Sequence, residues 1–375
     1  QLVDLSDRNL LCASVFGDEA VFGCADHALY CVDLLRGTKT RQLFRSSSKS
    51  ACAGHKDWVS AVSHTPGGDI VSGGLDGKLC IWPRDNGVPR QVQAHSGSIS
   101  AMKLDAESRV VTSDYSGALR VWDCRGDRNG WVAAPRMMRE ISSRSLLAPC
   151  TDFAWCGSRV LTGHRDGRLG FYDLETGQLL SGSSEHGTAH RGHVTATISA
   201  PDVGATGGVG STCFVTGGHD GFVRVWDTRR VSSCPSIAAV MESAAHRSAA
   251  GVGAVGGILA PKTGSAGGRR LISFGADKRV SMRSSLVVEH VFSSHRDFIY
   301  CMEIVPSVEG GREGSGILVT GGGDGLLLVH DLCSMRLLYG LGCCSAGAVR
   351  CAIGGQDRLT IAGDDGNAML YKFSG

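Results

Sequence analysis

The sequence predicts an all-β chain built from eight copies of one antiparallel unit. Three observations predict it. First, one pattern recurs along the whole chain: "IVSGGLDGKLCIWP" from Ile70, "VVTSDYSGALRVWD" from Val110, "VLTGHRDGRLGFYD" from Val160, "FVTGGHDGFVRVWD" from Phe214, "LISFGADKRVSMRS" from Leu271, "LVTGGGDGLLLVHD" from Leu318 and "LTIAGDDGNAMLYK" from Leu359, with a weaker copy, "AVFGCADHALYCVD", from Ala20. Second, each copy sets a two-residue turn, usually Asp-Gly, between two apolar runs, a strong hairpin signal because the tight turn needs positive φ. Third, each unit reads as about four short strands and no helix.

The elements of a unit follow in order. A "GH" or "AH" dipeptide precedes an apolar run, as in "GHKDWVSAV", "AHSGSISAM", "GHVTATIS" and "SHRDFIYCM", which gives the first strand. A β-type run ending in Ser or Thr plus small residues gives the second. The turn follows, at Asp26, Asp76, Ser116, Asp166, Asp220, Asp277, Asp324 and Asp365, with spacings of 40 to 57 residues. An alternating run such as "FVRVWD" gives the third strand, and a fourth completes the unit. The atypical first copy has its own first strand in "LLCASVF". The last copy stops at "LYKFSG" without a fourth strand, and the opening "QLVDLS" is expected to supply it, since an open ring leaves a long unpaired sheet edge.

These copies resemble the WD-repeat β-propeller family across essentially the entire chain. The dipeptide that names the family stands at Trp122–Asp123 and Trp226–Asp227, with Tyr172–Asp173 and His330–Asp331 as weaker forms. The resemblance implies an all-β propeller of four-stranded antiparallel blades around a channel, with eight blades expected and seven as the alternative. Because no unit buries its faces alone, residues 1–375 are expected to form a single WD-repeat domain. The resemblance also implies a hydrogen-bonded network of His, Ser or Thr, Asp and Trp inside a blade. By register it is His55, Ser72, Asp76 and Trp82 in the second unit, and His193, Thr216, Asp220 and Trp226 in the fifth. Ser116 stands where an Asp is expected, Arg283 where a Trp is expected, and the fourth unit has no upstream His; those blades are expected to depend on apolar packing.

Composition bounds the function. The formal charge of the chain is only +2, so no bulk field points to nucleic acid or a membrane. Fifty-three glycines without a collagen period fit many tight turns. Fifteen scattered cysteines, mostly inside apolar runs, favour a reducing compartment: intracellular, with the cytoplasm expected and a cytoskeletal or nuclear site not excluded. No apolar run reaches membrane-spanning length. The opening "QLVDLSDRNLL" is no signal peptide, and it lacks an initiator Met, which leaves room for residues upstream.

Four motifs bear on chemistry. Ser, His and Asp compose a hydrolase triad, but the set recurs with Thr and sits mid-strand, which suits a structural role. "GVGAVG" at 251–256 matches a dinucleotide fingerprint, yet no helix pattern follows it, so close packing explains the small residues better. "EHGTAHRGHV" puts His186, His190 and His193 within eight positions, without a helix to gather them for a metal. Trp-Asp-x-Arg occurs at 122–125 and 226–229, similar to the signature of substrate receptors of cullin-type ubiquitin ligases, with Arg125 and Arg229 as the adaptor contacts.

The expectation is therefore a non-enzymatic scaffold without cofactor or metal, binding partner proteins or peptides, a multi-subunit assembly among them. In the family the Gly-His loops and the turns emerge on one face. Residues beside them are expected to touch a partner: Asp57, Trp58, Arg296, Asp297 and Phe298 after the His, and Leu75, Tyr115, Arg165 and His219 just before the turn. Gly-rich loops at 200–211, 260–268 and 306–316 lie at the opposite face, and the insertion 125–145, with Trp131, Met137 and Met138, is an alternative docking element.

Overall fold

The computed structural model describes residues 1–44, 53–105, 108–125, 134–141, 148–182, 189–200, 213–227, 239, 241–248, 251–261, 270–284, 287–306, 316–355 and 358–372. These residues form eight four-stranded antiparallel sheets, the blades of a β-propeller. Blade 1 is Leu10–Phe16, Glu19–Cys24, Leu29–Asp33 and Thr38–Leu43; blade 2 is Val59–His64, Ile70–Gly74, Lys78–Trp82 and Arg90–Gln93. Blade 3 is Ile99–Leu104, Arg109–Asp114, Leu119–Asp123 and Arg136–Ile141; blade 4 is Cys150–Cys156, Arg159–His164, Leu169–Asp173 and Leu179–Gly182. Blade 5 is Val194–Ser199, Cys213–Gly218, Val223–Asp227 and Met241–Ser243; blade 6 is Val255–Leu259, Arg270–Gly275, Val280–Ser284 and Val287–Phe292. Blade 7 is Ile299–Pro306, Gly316–Gly322, Leu326–Asp331 and Arg336–Gly342. Blade 8 is Val349–Gly354, Arg358–Gly363 and Asn367–Lys372, completed by the N-terminal strand Leu2–Asp4. A small two-stranded hairpin, Arg247–Ser248 with Gly251–Val252, stands ahead of blade 6.

The chain divides into two compact units. The first comprises Gln1–Ile141, Gly325–Leu327 and Leu341–Gly375, and so holds blades 1, 2, 3 and 8. The second comprises Ser142–Asp324 and Leu328–Gly340, and holds blades 4, 5, 6 and most of blade 7.

In the first unit, Leu2, Val3 and Asp4 pair with Met369, Ala368 and Asn367. Val3 and Leu5 are buried with Leu10, Phe22 and Ala368, so the strand contributes apolar contact as well as main-chain pairing. Successive blades bury their facing apolar positions: Val21, Leu29, Cys31, Val59, Ile70, Cys80 and Trp82 form one such layer. The second unit repeats the arrangement, with Phe171, Val194, Phe214 and Trp226 in one layer and Phe274, Met282, Met302 and Leu318 in another. Each fully buried large apolar side chain contributes roughly 1.5–3 kcal/mol.

The hairpin turn differs from the expected two-residue form. In blade 2 the Gly77 amide donates to the Gly74 carbonyl at 3.1 Å, closing a four-residue turn. Asp76 does not have positive φ, while Gly77 has φ 71°. This is the shape of a type I turn whose last residue is left-handed. The Asp side chain holds it, its Oδ1 accepting the Lys78 amide at 3.2 Å. The same holding bond forms at Asp26, Asp166, Asp220, Asp277 and Asp365. A Cβ at Gly77 would lie 2.4 Å from the His95 carbonyl oxygen, so the residue is fixed by space as well as by φ.

A second recurrent feature links neighbouring blades within each unit. The hydroxyl at the second position of a first strand donates to the first carbonyl of the next blade. Ser60 reaches Ile99 at 3.3 Å, Thr151 reaches Val194, and Thr195 reaches Val255. Cys12, at the third position of its strand, makes a weaker sulfur bond to the Val59 carbonyl at 3.5 Å.

Candidate functional site

The networks inside the blades come first, because they position the surface residues beside them. In blade 2, Trp82 Nε1–H donates to Ser72 Oγ at 2.8 Å, Ser72 Oγ meets His55 Nε2 at 2.8 Å, and His55 Nδ1 meets Asp76 Oδ1 at 3.0 Å. Ser72 has no exposed surface, so its hydroxyl meets the network and no solvent-borne substrate. Gly74 precedes the turn because a Cβ there would stand 2.5 Å from the His55 ring and 2.7 Å from the Asp76 carboxylate.

Blade 5 corrects the expected histidine. His190, not His193, is the buried member: its Nε2 lies 2.8 Å from Thr216 Oγ1 and its Nδ1 2.9 Å from Asp220 Oδ1, while Trp226 donates to Thr216 at 2.8 Å. The reason is reach. His55, His95, His190 and His295 each stand four residues ahead of the first strand of their blade, and His193 stands one residue ahead of Val194. His193 is exposed and rests against His219, with ring centroids 5.8 Å apart. The constant four-residue offset was present in the sequence, and the Gly-His dipeptide masked it. Burial pushes the Asp220 carboxyl up, but His190, the Arg191 amide and Arg224 outweigh it and hold the group well below the usual carboxylate range.

The blades read as incomplete keep polar networks by substitution. In blade 3, Asp114 supplies the carboxylate that Ser116 lacks: its Oδ1 accepts the Ser116 and Ala118 amides, and its Oδ2 stands 3.3 Å from His95 Nδ1. In blade 4, His164 on the second strand contacts Thr162 at 2.9 Å and donates to the Ala148 carbonyl at 2.9 Å, in place of an upstream histidine. In blade 6, His246 bridges Ser273 and Asp277, and Arg283 takes the indole's position. The Arg283 guanidinium donates to Ser243 Oγ, Ser273 Oγ and the Ala245 carbonyl at 3.0, 3.4 and 3.1 Å, and burial lowers its pKa to about 10.

At the turn end of every blade a further main-chain bond recurs. The residue just before the turn Asp donates its amide to a carbonyl at the start of the first strand. In the first unit Leu75 donates to Trp58, Tyr115 to Ser98, Ala25 to Asn9 and Asp364 to Ala348. In the second, Arg165 donates to Pro149, His219 to His193, Ala276 to Ala254 and Gly323 to Phe298. Two of the sequence-selected sets are thereby brought side by side: Trp58 with Leu75, and Phe298 with the turn of its own blade. Trp58, Tyr115 and Phe298 are 48%, 54% and 48% exposed. Arg165, His219 and Arg296 are also exposed, and Leu75, Asp57 and Asp297 are half-buried. Asp57 and Asp297 play one local role, each accepting the amide of the following aromatic at 2.8 and 2.7 Å. The sequence reading missed Tyr300, 42% exposed two positions beyond Phe298.

The remaining motifs fall as follows. Gly251–Val252 belongs to the small hairpin, and Gly256 and Gly257 leave room for the Phe274 ring, which a Cβ on Gly256 would approach to 2.4 Å. Arg125 folds back on Asp123 of its own motif, at 2.9 and 2.8 Å. Arg229, His186, Trp131 and nearly all of the three Gly-rich loops lie outside the described residues. Met137 and Met138 lie on the fourth strand of blade 3 and are exposed. Among the described residues no three His, Cys, Asp or Glu side chains are grouped to hold a metal ion, and no helix is long and apolar enough to cross a membrane.

Comparison with known proteins agrees with this architecture. The WD domain, G-beta repeat family model matches residues 46–83, 87–123 and 187–227. The ribosome biogenesis protein YTM1 of Eremothecium gossypii is 26% identical over 40% of this chain and 33% of its own length. The cilia- and flagella-associated protein 52 of Mus musculus is 24% identical over 46% of this chain and 26% of its own. The chain thus matches a third or less of these relatives' length. Among solved structures, Sqt1 of Chaetomium thermophilum bound to the N-terminus of ribosomal protein L10 superposes with a TM-score of 0.77 over 99% of this chain and 98% of that one, at 16% identity. The computationally designed Ika8 protein gives a TM-score of 0.73 at 19% identity, over 99% of both chains. Eight blades in one register, the recurring buried networks and these likenesses make the chain a member of the WD-repeat β-propeller family.

Proposed function

We propose that residues 1–375 act as one WD-repeat domain whose work is non-enzymatic: a scaffold that holds partner proteins or peptides at the turn ends of its blades. One observation carries this reading. The main-chain bond before each turn fixes two surface positions per blade side by side, and several of them carry exposed Trp58, Tyr115, Arg165, His219 and Phe298. Aromatic and arginine side chains on a rigid base lose little entropy on binding and dominate interface energetics. Asp57 and Asp297 set the direction of the aromatic beside them. The buried Ser72 and Thr216 hydroxyls, used up by Trp and His, support a structural rather than a catalytic role. The solved likeness of Sqt1 to this chain, with a ribosomal protein segment bound to Sqt1, supports a protein or peptide as the class of partner. Free cysteines, those on the strands held protonated by burial, support a reducing intracellular compartment.

The test is affinity purification from the native cell with the wild-type chain and a variant carrying Asp57→Lys, Trp58→Ala, Tyr115→Ala and Asp297→Lys. The variant should keep its fold and lose most of the captured partners. Undiminished capture by the folded variant would remove the turn ends from the proposal.

A further inference from the structure

Blade 5 combines a cavity with an aromatic side chain at its turn. A cavity of about 430 Å³ opens beside its turn, lined by Arg191, Asp220, Phe222, Arg224, Glu242, Arg247 and Val252. Its floor is electrically balanced. Arg224 pairs with Asp220 at 2.9 Å and with Glu242 at 3.1 Å. Its mouth is not balanced. Arg191 and Arg247 are exposed, and among the described residues neither pairs with a carboxylate. Phe222 lies beneath two guanidiniums, Arg224 at 4.6 Å and Arg247 at 5.0 Å from its ring centroid. The position after the turn glycine is Lys78, Ala118, Arg168, Leu326 or Asn367 in other blades, so the aromatic platform belongs to blade 5.

Both free arginines are held in place by main chain. The Arg191 amide donates to Asp220 Oδ2 at 3.1 Å, so its backbone is tied to the buried network. Arg247 pairs with Val252 in the small hairpin, and Val252, 53% exposed, lines the same cavity as Phe222. Two guanidiniums on tethered main chain, that of Arg247 resting on Phe222, beside an aromatic and an aliphatic side chain suit one kind of guest: an anionic side chain with an apolar neighbour. Guanidinium forks bind carboxylate and phosphate oxygens in pairs, and a fixed base lowers the ordering cost.

We propose that this pocket binds a short acidic segment of a partner protein, its carboxylate or phosphorylated side chain seated between Arg191 and Arg247 and its apolar neighbour on Phe222 and Val252. The proposal deepens the scaffold reading and rests on it. Fluorescence anisotropy on the full chain tests it, with a labelled decapeptide alternating glutamate and leucine, its phosphoserine counterpart and its glutamine counterpart. At least one anionic peptide should bind saturably, more weakly as salt rises, and the glutamine peptide should not. Which anionic peptide binds tells carboxylate from phosphate. The Arg191→Glu, Arg247→Glu double variant should bind at least about tenfold more weakly, a loss of about 1.4 kcal/mol, with unchanged melting. Three results overturn the proposal: no saturable binding of either anionic peptide, equal binding by the double variant, or tighter binding of a uridine oligonucleotide through the same arginines. Partner capture by a wild-type chain that ignores both peptides would sink the pocket alone. Peptide binding by a chain that captures no partner would leave the pocket and remove the scaffold.

Discussion

Arg283 shows how one side chain can stand in for another of different chemistry. The position asks for a long body and an N–H aimed at Ser273, and a guanidinium meets both needs at the cost of a buried charge. Arg283→Met should therefore destabilise the chain by roughly 2–3 kcal/mol in urea unfolding, because Ser243, Ser273 and the Ala245 carbonyl lose a donor. An unchanged midpoint would show that the bonds carry no net stability. His330 makes the opposite substitution. It fills the Trp position of blade 7 with no exposed surface, its ring 4.4 Å from Phe292, and among the described residues neither ring nitrogen has a hydrogen-bond partner within bonding geometry. Burial lowers its pKa to about 4, with His295 and His290 adding to the effect. An unfolded His takes its proton near pH 6.5, so between about 6.5 and 4 the unfolded chain binds a proton that the folded one refuses. His330 by itself should contribute roughly 3 kcal/mol to the loss of stability across that window as pH drops, and His95, His164, His190 and His295, also lowered by burial, act in the same direction. The depressed carboxyls of Asp76, Asp220 and Asp277 then lose their contribution at still lower pH. His330→Phe should flatten the slope between pH 6.5 and 4; a slope identical to wild type would refute the assignment.

At the scale of elements, the turns and the closing strand are the parts whose physics is most exposed to test. His27 and Lys278 hold φ of 73° and 65° where the other turns have Gly. His27 is exposed, and among the described residues its ring makes no hydrogen bond or ion pair, so His27→Gly should raise the unfolding midpoint by the equivalent of about 1 kcal/mol as left-handed strain is relieved. A lower midpoint would mean that the entropy of the unfolded glycine outweighs the strain. Gly77→Ala should cost more than that gain, because the added Cβ meets the His95 carbonyl as well as unfavourable φ. Deleting residues 1–6 should strip Val3 and Leu5 from their cluster and leave the Asn367–Lys372 edge unpaired. Lower melting and concentration-dependent association, read by light scattering, are the expected outcomes. A truncated chain that stays monomeric with unchanged melting would show that the strand is dispensable.

For the molecule as a whole, repetition made most of the architecture readable. Phased copies of one hairpin favoured eight blades over seven and made their antiparallel order and the use of "QLVDLS" as a closing strand readable, because each unit spends its residues in the same order on the same bonds. The network of His55, Ser72, Asp76 and Trp82 was readable for the same reason. What repetition hid was substitution. Asp114 and His164 each restore a bond from a position where the pattern expects nothing, Arg283 restores one from the Trp position with different chemistry, and a pattern cannot show which atom will reach. His193 failed on the same ground: the dipeptide matched, but distance along the chain to Val194 decides which ring arrives at Thr216. Hydroxyl bonds such as Ser60 to Ile99 were equally invisible, since they join residues of different blades.

The sequence by itself determined the local order of each blade, because strand period, turn chemistry and polar spacing act over a few residues. Only the tertiary structure decided which histidine enters a network, which side chain replaces a missing Trp, and which arginines have no carboxylate partner among the described residues. Those outcomes depend on distances between segments far apart in the chain. The pocket of blade 5 is the clearest case: Arg191, Phe222 and Arg247 span 57 positions of sequence and meet because the turn of blade 5 and the small hairpin fold to the same place.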